Sequence, residues 1–178
     1  MNTFPLPQYA NVSVQNQQYF NFFTQQLGSL PNLYAMLAHS NTGLEAYLRL
    51  HNHQQSLTIA EKEIIGLVVS SINQSGYCLE THTMIARLNG FTDSQIGEIK
   101  NGSALFNSRY HALAQLVYNI STTKGHPTNQ LLHLFFEAGY TRESLVDTFL
   151  CIGDNIITNL LTCTMQVPSD FTDIEQIK

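Results

Sequence analysis

Residues 63–82 read EIIGLVVSSINQSGYCLETH: an apolar run, a short polar break at 73–76, then Cys78 and His82 four residues apart. If the chain is helical from Gly76 onward, Cys78 lies in the first turn. There the free N–H groups and the helix dipole favour an anion, so a thiolate is favoured over a thiol. His82 falls one turn later on the same face. A thiol with an imidazole in reach, near a helix N-terminus, is the pattern of an activated nucleophile or redox sulfur. The same spacing also fits a small core cysteine and a solvated surface histidine, since unactivated cysteines are commonly just buried.

Upstream, Thr58-Ile59-Ala60-Glu61 is a capping-box signature with Thr58 as N-cap. The helix it predicts runs to about Ile72 and carries Ile64, Ile65, Leu67, Val68 and Val69. That run is apolar on nearly all sides and must be widely buried, inside the subunit or between subunits. Glu63 enters it one turn from its start. A carboxylate there either reaches solvent, where the dipole favours it, or needs a partner.

Downstream, the Cys78 helix carries Met84, Ile85 and Leu88 and stops at Asn89-Gly90. Thr92 opens a second capping box with Gln95, and a short helix follows to Asn101-Gly102. A long helix is predicted from about Asn107 to Gly125, another from Pro127 to Gly139, and a last one capped by Thr141 and ended by Val167-Pro168. Before the central stretch, an extended arm with Pro5 and Pro7 precedes a helix from about Ser13 to Gly28. Pro31 suits the first position of the next helix, and residues 39–42 read as a break before a further one. No alternating strand pattern occurs, so the fold class is all-α. The organisation expected is an N-terminal arm and first helix over 1–30, one domain over 31–167 and a loose tail over 168–178.

The frame around the break resembles the core motif of the AhpD-like alkylhydroperoxidase and carboxymuconolactone decarboxylase superfamily. Redox members carry a glutamate, eleven residues, C-x-x-C, three residues and a histidine. Here the frame is Glu63, eleven residues, Ser75-Gly76-Tyr77-Cys78, three residues and His82, with serine where the first cysteine would be. The Gly90-Phe91 and Gly139-Tyr140 turns also match, and the likeness runs from about Leu33 to about Thr162. It implies an AhpD-like helical fold that forms homo-oligomers. It also implies that Cys78 attacks a peroxide, assisted by His82 and Glu63, with Ser75 and Tyr77 in support. Ser75 can hydrogen-bond a thiolate but cannot form a disulfide, so the family's two-cysteine cycle gives way to one resolved by an external thiol. The other branch of the family implies acid/base chemistry on an organic acid by His82 and Glu63. A third outcome is a non-catalytic oligomer.

The bulk numbers bound these readings. A chain of 178 residues and 20.0 kDa suits one domain. Only 12% of residues are charged, about half the usual share, which fits a surface partly covered by copies of itself. A net charge of −5 argues against nucleic acid or an anionic membrane as partner. The N-terminal MNTFPLPQYANVSVQ lacks a basic region followed by an apolar one, so no signal peptide is expected and the cytoplasm is the expected location. Three cysteines, an odd number, read as reduced thiols, and Cys151 and Cys163 read as core residues of an apolar helix. His51 and His53 cannot share a helix face, and His82, His111, His126 and His133 lack ligand spacing, so no metal is expected. There is no phosphate loop or dinucleotide fingerprint, so no cofactor is expected. Asn155 and Asn159, four apart in the last helix, read as groups satisfying buried backbone or each other, or as polar groups facing a pocket or a subunit interface.

Overall fold

Side-chain caps fix most helix starts in this chain. The computed structural model describes residues 4–171. Its helices are Val14–Leu27 (α1), Asn32–Leu37 (α2), Gly43–His51 (α3), Ile59–Ile72 (α4), Gly76–Leu88 (α5), Asp93–Lys100 (α6), Ser108–Thr122 (α7), Asn129–Glu137 (α8) and Arg142–Met165 (α9). No strand occurs among the described residues, so the all-α class stands. Both predicted capping boxes form: Thr58 with Glu61, and Thr92 with Gln95.

Two proline readings need correction. Pro31 is the N-cap of α2, not its first residue, and it has no side-chain oxygen to offer the orphan N–H groups. Asp170 supplies one from the far end of the sequence, accepting from the Asn32 N–H at 3.0 Å, while the Asn32 amide donates to the Pro168 carbonyl at 3.2 Å. The start of the expected loose tail is thus tied down; 172–178 lie outside the described residues. Pro127 likewise does not start α8. Thr128 does the capping, its hydroxyl accepting from the Leu131 N–H, and so the helix begins two residues later than Pro127.

The chain divides into two compact units, one of residues 1–53 and 160–178, the other of residues 54–159. In the first, Phe20, Leu37, Leu44, Tyr47 and Leu48 form the core. Asn16, fully buried, donates through its amide to the Ala38 and Ser40 carbonyls where the chain breaks between α2 and α3.

In the second unit α4 is the central helix and packs against α5, α6 and α7. Ile64, Ile65, Leu67, Val68 and Val69 are at most 1% exposed, so the all-round apolar run is buried within this unit. Each such side chain contributes roughly 1.5–3 kcal/mol relative to exposure. Helix α9 is long and apolar enough, by length and composition, to cross a membrane. Its buried face in this unit, however, carries Asp147, Thr148, Asn155, Thr158 and Asn159, which is the pattern of a core helix that positions polar groups.

Glu61 anchors the start of α4. Its carboxylate accepts from the Thr58 N–H at 2.8 Å, the Thr58 hydroxyl at 2.9 Å and the Arg109 Nε at 3.0 Å. Arg109 lies 3.9 Å over the Tyr140 ring and donates to the Ala138 carbonyl. Burial alone would raise the Glu61 carboxyl, but donation by Thr58 and Arg109 outweighs it and holds the group below its ordinary 4.5. A carboxyl lowered in the folded state contributes stability that is present above the unfolded value and lost as pH falls through the folded one. Glu61→Gln should therefore cost about 1.5–3 kcal/mol in denaturant unfolding at neutral pH, as for other hydrogen bonds to charged groups. The gap from wild type should narrow as pH drops below 4.5. An unchanged gap across that range would contradict this role.

Candidate functional site

Three helices of the second unit supply the site. The connection from α4 to α5 is tight: Gln74 takes a left-handed conformation (φ 55°), and the Ser75 N–H donates to the Ser70 carbonyl at 3.0 Å. This turn sets Ser75 as the N-cap of α5, fully buried, and places Cys78 in the first turn as the sequence predicts. Tyr77 is half-buried, and its carbonyl accepts from the Thr81 hydroxyl at 3.0 Å.

His82, one turn after Cys78, meets Glu63 across the two helices. Its Nδ1 lies 2.8 Å from Glu63 Oε2. The pair is largely enclosed, with the side chains 19% and 9% exposed. Glu63 is therefore not a solvated first-turn carboxylate; its partner is the histidine nineteen residues on. The imidazole's other nitrogen, Nε2, is 2.8 Å from Asn155 Oδ1 on α9. Asn155 in turn donates through Nδ2 to the Cys151 carbonyl at 2.9 Å. The amide thus both satisfies backbone and holds a site residue. Asn159 accepts from the Ser70 hydroxyl at 3.1 Å, on the same flank of α4 that leads into the Ser75 turn.

Gly66 is the residue the sequence reading passes over. It lies one turn after Glu63 on α4, directly beneath the His82 ring. A Cβ there would fall 2.4 Å from His82 Cε1 and 2.6 Å from both ring nitrogens. The absent side chain is what lets the imidazole lie flat against the helix. The signal available was a glycine one turn from an acidic residue inside an otherwise apolar helix, where a glycine costs helix stability unless something approaches closely.

The three cysteines differ. Cys78 is buried, 4% exposed, in the first turn of α5. Cys151 is a core residue, and burial, with Asp154 nearby, pushes its thiol up to about 12. Cys163 is exposed, which corrects its reading as a core residue: it lies on the outer side of α9. All three are free thiols. Among the described residues, no group of three or more His, Cys, Asp or Glu side chains is arranged to hold a metal.

The model of the carboxymuconolactone decarboxylase family matches residues 37–114, which include Glu63, Cys78 and His82. No curated protein sequence matches the chain. Solved structures share the fold. The alkylhydroperoxidase AhpD core of an uncharacterized peroxidase-related protein from Ralstonia eutropha JMP134 superposes with a TM-score of 0.83 at 20% identity, over 94% of this chain and 91% of that one. An uncharacterized peroxidase-related protein from Silicibacter sp. TM1040 gives 0.79 at 20%, over 93% and 89%. A cysteine-to-alanine variant of the debrominase Bmp8, in complex with 2,3,4-tribromopyrrole, gives 0.77 at 16%, over 100% and 98%. At these identities the likeness is one of fold.

Proposed function

We propose, starting from a chain that belongs to the AhpD-like and carboxymuconolactone decarboxylase superfamily, that this protein is a thiol-dependent hydroperoxidase with one working cysteine. The observation that carries the reading is the Glu63–His82 hydrogen bond at 2.8 Å. It brings the two ends of the sequence frame together beside the first turn that holds Cys78.

In this reading the Cys78 thiolate attacks the outer oxygen of a hydroperoxide. An S–O bond forms and the O–O bond breaks. The sulfur is oxidised to a sulfenic acid, and the departing alkoxide takes a proton and leaves as an alcohol. The Glu63–His82 pair is the local proton store. An external thiol then attacks the sulfenic sulfur and expels water, leaving a mixed disulfide. A second thiol releases Cys78 and departs as a disulfide. Ser75, buried at the N-cap, hydrogen-bonds but supplies no second sulfur. The debrominase neighbour, whose cysteine-to-alanine variant was solved with a halogenated pyrrole, makes such a compound a useful second electrophile to assay. Free thiols throughout fit a reducing cytoplasm.

The test is steady-state consumption of an organic hydroperoxide with a monothiol reductant. The reading expects turnover that saturates in peroxide and gives a protein–monothiol mixed disulfide at Cys78. No consumption with any thiol would contradict it. Acid/base chemistry by Glu63 and His82 would then lead, tested as decarboxylation of a lactone or organic acid.

Assembly belongs to the same proposal. From Val146 to Asn159, the part of α9 in the second unit, every exposed residue is apolar: Val146, Phe149, Leu150, Ile156 and Ile157. Val146 is 56% and Ile157 44% exposed. An apolar stripe of this length marks an interaction surface, and with Arg142 as its single flanking cation, next to Glu143, a second copy suits it better than a lipid surface. Light scattering should give a multiple of 20.0 kDa; a monomer at micromolar concentration would contradict the assembly.

A further inference from the structure

The geometry points to Asn155 as a positioning residue that fixes the proton on His82 Nε2 and so confines proton movement to the Nδ1–Glu63 side of the ring. Its part in turnover rests on the hydroperoxidase reading; its grip on the imidazole does not.

The orientation of the amide is settled by its other end. Asn155 Nδ2 lies 2.9 Å from the Cys151 carbonyl and 3.7 Å from the Cys151 sulfur. Turning the amide over would set two carbonyl oxygens against each other. Asn155 Oδ1 therefore faces His82 Nε2 at 2.8 Å. An amide oxygen has no hydrogen to give, so Nε2 must be the donor. On the opposite side, Nδ1 lies 2.8 Å from Glu63 Oε2, where a proton can rest on either atom. The ring cannot rotate away without leaving its seat on Gly66, where a methyl group would overlap it. Asn155 itself is 4% exposed, so water does not compete freely for its oxygen.

The consequence concerns the division of labour. With Nε2 holding its hydrogen, His82 offers no lone pair from that nitrogen to the Cys78 thiol. Both of its nitrogens are taken up, one by Asn155 and one by Glu63, and the proton given to the departing alkoxide is drawn from the Nδ1–Glu63 pair. A histidine whose second nitrogen is pinned in this way has its tautomer chosen by its neighbour.

The experiment uses the full chain labelled with ¹⁵N-histidine, with the His82 signals assigned by their loss in His82→Gln. In the wild type, Nε2 should carry a directly bonded proton that exchanges slowly with water. Asn155→Asp, which keeps an oxygen acceptor, should preserve that signal. Asn155→Leu should bring fast exchange and a tautomer mixture. Hydroperoxide turnover should follow, with kcat down ~tenfold in Asn155→Leu, in the usual range for losing a group that orients a site histidine, and KM little changed. A wild-type Nε2 without a bonded proton overturns the proposal, and so does an Asn155→Leu variant with unchanged His82 nitrogen signals. If the nitrogen signals behave as expected while the wild type consumes no hydroperoxide, the positioning role stands and the hydroperoxidase reading falls.

Discussion

Hydroperoxide consumption should fall to the uncatalysed background in Cys78→Ser and survive in Cys163→Ser. The two sulfurs separate on position. Cys78 lies at the first turn of α5, one turn from an imidazole that is itself held by Glu63. Cys163 is exposed and outside the site, so it reacts with alkylating reagents without supporting a cycle. Its exposure also means that alkylation of Cys78 is best measured in a Cys163→Ser background, where the surface thiol cannot mask it. Cys151 does not confuse the result, because burial raises its thiol to about 12 and it stays protonated at neutral pH. A second change at the same site should act in the opposite direction. Ser75→Cys places a thiol three residues before Cys78, at the fully buried N-cap position of α5, where the serine side chain makes no capping hydrogen bond. Serine and cysteine are similar in size, so the helix start should hold. An intramolecular partner resolves a sulfenic acid without waiting for a second molecule, so turnover with a dithiol reductant should rise on the order of tenfold. Turnover surviving in Cys78→Ser would remove sulfur from the mechanism and leave the acid/base chemistry of Glu63 and His82.

The second large effect comes from a methyl group. Gly66→Ala should lower turnover by about a hundredfold, because misplacing a catalytic group by an ångström can cost that much. The new Cβ would fall 2.4 Å from His82 Cε1, well inside contact distance, and α4 cannot retreat because its other faces are packed in the core. The imidazole must move, and it then loses Glu63 or Asn155. The loss should be a kinetic one first. In stability the change combines overpacking, at roughly 1–3 kcal/mol, with a gain of up to about 1 kcal/mol from replacing a helical glycine. Near-normal stability with lost turnover is the expected signature. Full activity in Gly66→Ala would mean that His82 need not sit where the structure has it.

Much of the fold is legible in the sequence because it is written locally. Thr58, Thr92 and Thr141 announce helix starts through caps, and Gly90 and Gly139 mark stops through left-handed backbone. The prolines mislead because a cap can come from elsewhere: Asp170 serves α2 across 138 residues of sequence, and Thr128 overrides Pro127. The site divides in the same way. Glu63, Cys78 and His82 can be picked out because they share one short frame. The roles of Asn155 and Gly66 cannot be assigned that way. Asn155 reaches His82 from 73 residues away, and only packing shows that its oxygen, not its nitrogen, faces the ring. Gly66 matters for a side chain it lacks. Cys163 is exposed against expectation because an apolar helix gives no sign in its sequence of which apolar face is covered within the chain.

The most direct measurement is to expose the Cys163→Ser protein to one equivalent of an organic hydroperoxide in the presence of dimedone and map the adducts by peptide mass spectrometry. One adduct is expected, on the peptide carrying Cys78, with none on Cys151. An unmodified Cys78 with the hydroperoxide left unconsumed would contradict it.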